Sequence, residues 1–409
     1  FWRVCVHDFV VYDDSVHVRT NPYFNPPTWP NLLQFWTKPY EGLYIPVTYT
    51  AWGGLAALTS ASGVDGTEHD PQAFHCANLL VHLLSVLIVF SLLELVMHDP
   101  WAAFGGALLF GLHPLQVEPV AWISGFRDAL AGFFLLAAVW QYLCFAGAPS
   151  GGRRRYLYYG LATLAFVLAM LSKPAAVVAP LAAGIIGCLM LQRPFRRVVA
   201  DLLPWVALAI PVVVVTTMSQ PGAKIDFITP LWQRPLIAGD ALTFYLRKLT
   251  LPLWLGPDYG RTPQFVLRHG WVWLTGLLPF ALAALLLWRY RRKWLMSAAG
   301  VFLVALLPVL GLLPFAFQNI STVADRYVYF AMLGPALALA WLIKGRRAWV
   351  VAVCVLLLGF FGVRSACQVR HWQNTTTLFE HALYVNPASS LSHVNLGVFA
   401  QRQGRLEEA

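Results

Sequence analysis

The sequence predicts an all-α, polytopic membrane protein, and three observations carry that prediction. Hydrophobic residues make up 58% of the 409, and only 12% are Asp, Glu, Lys or Arg, against roughly a quarter in an ordinary soluble domain. The apolar residues fall in long runs, Ala73–Met97, Val120–Ala146, Val198–Met218, Trp271–Trp288, Trp294–Phe317 and Ala348–Val363. Each run is near the roughly 20 residues that cross hydrocarbon as a helix. Basic residues gather in four short gaps: Arg153–Arg155, Arg193 with Arg196 and Arg197, Arg289 with Arg291–Lys293, and Lys344 with Arg346 and Arg347. Such gaps mark cytoplasmic loops. They also account for much of the net charge of +10, which in a soluble chain would suggest nucleic acid and here does not.

Taken in order, the chain opens on FWRVCVHDF without a cleavable signal pattern, and one helix is expected upstream of it. Residues 10–70 read as an outer loop carrying amphipathic helices. Spans are expected near 74–97, 101–113, 120–146, 156–171, 174–192, 199–218, 271–288, 296–317, 325–343 and 348–363. With the upstream helix these make eleven, and all four basic gaps then lie inside. Residues 219–270 read as a long outer loop. Within it Leu236–Leu255 is apolar but holds Asp240, Arg247 and Lys248, and a span there would break the charge parity. An interfacial or re-entrant segment is expected instead.

The character changes at Trp372. "YVNPASSLSHVNLGVFAQRQGRLEEA" has a tetratricopeptide cadence: Asn-Pro at a turn, Asn-Leu-Gly inside a helix, Gly404 before the next. A membrane domain over 1–371 and the start of a repeat domain over 372–409 are therefore expected. One repeat cannot bury its own apolar face, so further repeats should follow Ala409, and the chain should stop inside a second helix. The six cysteines lack CxxC or zinc spacing, and Cys144, Cys188 and Cys354 fall in spans, so no disulfide framework is expected.

The predicted topology was not built from the polar motifs, yet it gathers them. "VYDDSVH", "LHPLQVEPVAW", "LSKPAAV", "LGPDYGRTP" and "VADRYVYF" all reach the outer face, at helix ends. Charge is tolerable there, whereas at mid-bilayer it costs roughly 3 kcal/mol. Adjacent Asp13 and Asp14 can cap a helix, supply a base, or form half of a site for a divalent metal ion. Glu118 suits sugar binding or an ion pair with Arg127, and Arg326 suits phosphate binding or an ion pair with Asp325. Lys173, before Pro174, can bind phosphate or snorkel to headgroups. Asp258 and Tyr259 can line an acceptor groove or form a simple turn. His75 and His82, seven apart on one helix, read as packing residues that bond a neighbouring helix.

Five blocks in order resemble a known family. "YDDSVHVRTNP", "FHCANLLVH", "HPLQVEPVAWISGFRD", "LSKPAAVVAP" and "ADRYVYFAMLG" are similar to motifs of the transmembrane and tetratricopeptide-repeat-containing O-mannosyltransferases and their bacterial relatives. Those are glycosyltransferases of the GT-C class. Two positions depart from the family pattern: Ile45 stands where a Tyr-Arg-Pro motif has Arg, and Phe126 stands where Arg follows the Ser/Gly pair, with Arg127 one place later.

The resemblance implies a GT-C-like fold and a polyprenyl-phosphate sugar donor, the sugar being mannose, with a protein acceptor that the repeats can hold. It implies a multi-pass protein, in the inner membrane if bacterial, with site and repeats on the extracytoplasmic side. By that resemblance Asp13 is the expected catalytic base, with Asp14 orienting acceptor or ion. Lys173, Arg326 and Arg127 are expected on the donor phosphate, and His113, Glu118, Asp128, Asp325, Tyr327 and Tyr259 around the substrate. The chemistry agrees: a hydroxyl nucleophile needs a base, and a departing lipid phosphate needs cations. Other readings are a transferase acting on lipid or cell-wall glycan, a transporter, and a non-catalytic scaffold. A transporter would favour ionisable groups at mid-depth, and a scaffold need not keep Asp13 and Arg326.

Overall fold

The computed structural model describes residues 1–59, 61–63, 66–149, 151–219, 226–290, 292–402 and 404–405. Two short helices, α1 (Trp29–Thr37) and α2 (Pro46–Thr59), lead into α3 (Pro71–Met97) and α4 (Pro100–Leu112). A compact set of turns around α5 (Val117–Ala121) follows, then the antiparallel pair α6 (Phe126–Gly147) and α7 (Arg153–Ser172). Next come α8 (Ala179–Leu189), α9 (Phe195–Met218), α10 (Arg234–Thr250), α11 (Pro263–Arg268) and α12 (Val272–Leu285). The bundle closes with α13 (Lys293–Leu306), α14 (Leu333–Ile343) and α15 (Ala348–Val369), and the chain continues into a hairpin of α16 (Thr375–Val385) and α17 (Ser390–Arg402). A short antiparallel ribbon pairs Ala61–Gly63 with Gly66–Glu68.

Six of the described helices are long and apolar enough to cross a membrane, and four shorter apolar helices, among them α4 and α14, pack between them. This is a multi-pass membrane protein. Large apolar side chains such as Leu203, Ile210, Leu274 and Phe280 lie exposed on the outside of the bundle. Such a surface would drive association in water and is native in hydrocarbon.

Local sequence accounts for the helix starts. Asp70 accepts from the N–H of Gln72, and Asp99 from those of Trp101 and Ala102, each ahead of a Pro at the first helical position. These contacts satisfy N–H groups that the helix itself leaves open. His82 bonds the Gly111 carbonyl on α4 and the Tyr329 hydroxyl, and His75 bonds the Asp8 carbonyl. Both histidines pack and bridge neighbouring elements, as expected.

Several expected boundaries move. The span expected over 120–146 starts at Phe126, because 114–125 is folded into short turns. Those expected over 296–317 and 325–343 are shorter helices, with 3-10 turns over Leu307–Val309, Ala316–Asn319 and Asp325–Val328 between them. Within Leu236–Leu255, expected as interfacial or re-entrant, residues 236–250 belong to one continuous helix, α10, lying along α12, and 251–255 continue beyond it without a helix. Gly239 makes that crossing possible, since a Cβ there would stand 1.9 Å from the Gly276 carbonyl oxygen. Two of its charged side chains have close partners. Asp240 pairs with Arg261 at 2.6 Å, and the Lys248 ammonium donates to the carbonyls of Leu253 and Trp254. The Asn-Pro turn at 386–387 joins α16 to α17, and Gly404 adopts φ +76°. The helix expected after it lies outside the described residues.

Candidate functional site

The antiparallel run of α6 and α7 builds the core of the site. Arg127 and Asp128 occupy the first turn of α6, and Lys173 follows the last residue of α7, so the return strand of the pair brings Lys173 onto the Asp128 carboxylate. Arg127 reaches Asp13 at 2.8 Å with one guanidinium nitrogen, and its Nε stands 4.0 Å from Asp128. The result is a row of alternating charge, Asp13, Arg127, Asp128 and Lys173, drawn from three parts of the chain.

Behind the row lies a buried knot. Glu118 takes both the Arg326 guanidinium, at 2.6 Å, and the Arg326 backbone N–H, at 2.9 Å. Glu118 therefore does not pair with Arg127, and Arg326 does not pair with Asp325. Burial decides this: the two side chains are only 3% and 5% exposed, and charges taken out of water need a close, hydrogen-bonded partner. Asp325 instead accepts from the Tyr259 hydroxyl at 2.7 Å, and burial, aided by the Glu118 charge, pushes its carboxyl up to about 8.

Trp122 joins row and knot. Tyr12 stacks on it with ring centres 5.1 Å apart, while Arg127 and Arg326 stand 5.4 and 5.5 Å from its ring. Asn78 on α3 donates to the Trp122 carbonyl at 2.7 Å. Tyr12 and Trp122 were missed as site residues although both lie inside or beside the quoted motifs. Aromatic residues next to paired acids and beside Arg were the available signal.

The two adjacent acids part company. Asp13 is 31% exposed at its side chain. Asp14 is fully buried and accepts from the Ser124 N–H at 2.8 Å, the Ser124 hydroxyl at 2.6 Å and the Val10 N–H at 3.3 Å. Burial pushes its carboxyl up to about 7 against the pull of those donors. Asp14 fixes the N-terminal segment to the turn before α6 and is sealed from solvent. Its oxygens are already engaged, so the pair does not offer a shared face to a metal ion. Among the described residues no group of three or more His, Cys, Asp and Glu forms a metal-like cluster.

A cavity of about 60 Å³ opens beside the row. Asp128, Lys173, Arg326 and Tyr327 form its polar end, and Leu135, Val178, Val309 and Phe330 line its apolar walls. The Tyr327 ring lies 5.7 Å from the Lys173 ammonium and 5.1 Å from the Arg326 guanidinium. Lys173, Arg326, Asp128 and Tyr327 are thus brought together as expected. His113 is not. It accepts from the Leu115 N–H, touches the Leu249 carbonyl and packs on Phe361, because its position at the end of α4 turns it into the helix interface. Glu118, Asp325 and Tyr259 stand behind the cavity as partners of one another or of Arg326. The two departures from the family pattern are both buried: Ile45 packs in the core under α1 and α2, and Phe126 lies against Trp52.

Comparison with known proteins adds a relationship by sequence. The mouse protein O-mannosyl-transferase TMTC1 is 31% identical over 137 residues, 32% of this chain and 14% of that protein. Drosophila melanogaster Tmtc2, also a protein O-mannosyl-transferase, is 26% identical over 174 residues, 41% of this chain and 18% of its own. Over those stretches the chain is similar to protein O-mannosyl-transferases. It spans less than a fifth of the length of these two relatives. No family model matches the sequence. Among solved structures, the Archaeoglobus fulgidus oligosaccharyltransferase in its apo form aligns with a TM-score of 0.44 at 15% identity, over 87% of this chain and 53% of that one. ArnT from Cupriavidus metallidurans, bound to undecaprenyl phosphate, aligns with a TM-score of 0.41 at 14% identity, over 100% of this chain and 71% of that one. Overlaps of that size carry no argument about the site.

Proposed function

We propose that the chain is the membrane part of an inverting glycosyltransferase of GT-C type. It would move a sugar, mannose by its relatives, from a polyprenyl-phosphate carrier to Ser or Thr hydroxyls of a protein on the outer face of the membrane. One observation carries the reading: a cavity with apolar walls and a polar end bearing Lys173, Arg326 and Asp128 lies along the row that ends in the partly exposed carboxylate of Asp13. A lipid phosphate has that same division between charged head and apolar tail.

Asp13 is the base. The oxygen not turned to Arg127 takes the hydroxyl proton as the acceptor attacks the anomeric carbon, and Arg127 orients the carboxylate through its hydrogen bond to the other oxygen. As the bond to the phosphate breaks, negative charge grows on the leaving group. Lys173 gives one N–H to Asp128 and keeps two for that charge. Arg326, fixed on Glu118, supplies a stationary positive field at the same place. Neither cation has to move far, and burial keeps water from weakening Arg326, while Lys173 stays partly open to solvent.

The test is transfer from a purified polyprenyl-phosphate mannose to a Ser/Thr-rich peptide by the full-length protein in lipid. Asp13→Asn keeps the shape but cannot take a proton. Its turnover should fall about a hundredfold or more, with donor binding and melting temperature retained. Wild-type turnover in Asp13→Asn would remove Asp13 from the mechanism.

A further inference from the structure

The C-terminal hairpin is not attached to the bundle by the chain alone. Residues 251–262, between α10 and α11, cross from the hairpin to the site with both sides pinned. On the hairpin side, buried Asp258 accepts from the Ser389 hydroxyl at 2.5 Å and the Asn386 amide at 3.2 Å, while its other oxygen takes the Gly260 N–H at 2.7 Å. The Leu255 carbonyl accepts from His381 on α16 at 2.8 Å and from Gln368 on α15 at 3.1 Å. Gly260 adopts φ +60°, and a Cβ there would meet the Asn386 side chain at 2.7 Å. The approach leaves no slack.

On the other side, the next residue turns to the site. The Tyr259 hydroxyl donates to Asp325 at 2.7 Å and accepts from the Gly256 N–H at 3.2 Å. The Arg261 carbonyl accepts from the Thr322 N–H at 2.8 Å. The Lys248 ammonium ties down the start of the segment through Leu253 and Trp254. Asp325 is the neighbour of Arg326, whose backbone N–H is held by Glu118. Adjacent side chains therefore grip the hairpin and the turn that carries the cavity's arginine.

We propose that residues 251–262 are a strap coupling the hairpin to the site, with Asp258 its anchor on the hairpin and Tyr259 its anchor on the Asp325–Val328 turn. Both are positioning residues, since neither lines the cavity. The functional consequence rests on the transferase reading: a peptide chain that loads the repeat displaces the hairpin, and the strap carries that displacement to Arg326. A buried carboxylate with all its donors engaged is suited to this, because it cannot yield on one side without losing bonds on the other.

The strap is tested by hydrogen exchange on the full chain in lipid, which needs no turnover. Its outcome therefore stands apart from the outcome of the transfer assay. Asn386→Asp sets a second carboxylate against Asp258 from the hairpin side. Exchange should quicken about tenfold or more, both in α16 and at residues 325–328. In a Tyr259→Phe background, Asn386→Asp should still loosen α16 but add nothing at 325–328. That non-additivity is what coupling through one residue requires and what independent packing does not produce. Asp258→Asn, which removes one acceptor oxygen with little change in shape, serves if Asn386→Asp loosens the whole bundle. The strap is refuted if residues 325–328 keep wild-type exchange when α16 is released, or if they still respond once the Tyr259 hydroxyl is gone. Unchanged exchange in α16 would remove Asp258 as the anchor.

Discussion

The row Asp13–Arg127–Asp128–Lys173 and the knot Glu118–Arg326 hold the same kinds of side chain within one end of the bundle, yet they do different work. In the row the outer members stay in touch with solvent, Asp13 at 31% and Lys173 at 22% exposure. In the knot both partners are near zero. An exposed pair exchanges partners easily and contributes little to stability. A buried pair cannot be opened without stranding a charge. On the proposed function, accessible charge would be available to a substrate and buried charge would hold the site in place. Arg326 shows the overlap: locked on Glu118, it still lines the cavity, and on the proposed function it would act as a fixed field rather than a mobile clamp.

The comparison can be broken by removing charge from each side in turn. Glu118→Gln should have the largest effect, because the Arg326 guanidinium would stay buried without its countercharge. A loss of about 3–5 kcal/mol is expected, read as a lower midpoint in thermal unfolding of the purified protein. An unchanged midpoint would mean that the knot contributes nothing to the fold. In the row, Lys173→Met should also lower the midpoint, though by less, since the buried Asp128 loses its close partner and keeps only Arg127 at 4.0 Å. It should weaken binding of the lipid-phosphate donor about tenfold, the value of one charge-assisted hydrogen bond. Equal donor affinity in Lys173→Met and wild type would place the phosphate elsewhere.

Asp14 sharpens the comparison by pH. Its folded carboxyl is raised to about 7, above the ordinary value near 4 expected in the unfolded chain. Between those values the folded state holds a proton that the unfolded state has released. Its contribution to stability is therefore full at low pH and is lost as pH rises through about 7, by at most about 1.4 kcal/mol per pH unit. Asp14→Asn should flatten that fall in unfolding curves recorded from pH 4 to pH 8. The same slope in wild type and variant would mean that Asp14 is ionised throughout.

Much of the site was legible because helix ends are legible. Lys173 could be placed at a turn by the Pro after it, whereas Arg127 and Asp128 fell inside the span expected over 120–146 and reach the first turn of a helix only because 114–125 folds into short turns. The parity of the basic gaps set those ends together. Partner choice was not legible. Nothing in "VEPVAW" distinguishes Arg127 from Arg326 as the partner of Glu118, and nothing in "YDDSV" tells which acid faces solvent. His113 misled for a related reason: its motif marks the end of α4, and the side chain turns into the interface rather than the cavity.

By itself the sequence determined the class of the molecule, the approximate positions of most of its apolar helices and the change of character at Trp372. These follow from composition, run length and charge placement, which the bilayer reads one segment at a time. Tertiary structure alone decided which charges pair, that α10 is one helix whose Asp240 and Lys248 are matched, that Asp14 is sealed under Ser124, and that Asp258 and Tyr259 reach in opposite directions. Those outcomes depend on side chains distant in sequence meeting at a few ångströms. Burial sets the cost of leaving a charge without a partner, and it exists only once the helices have packed.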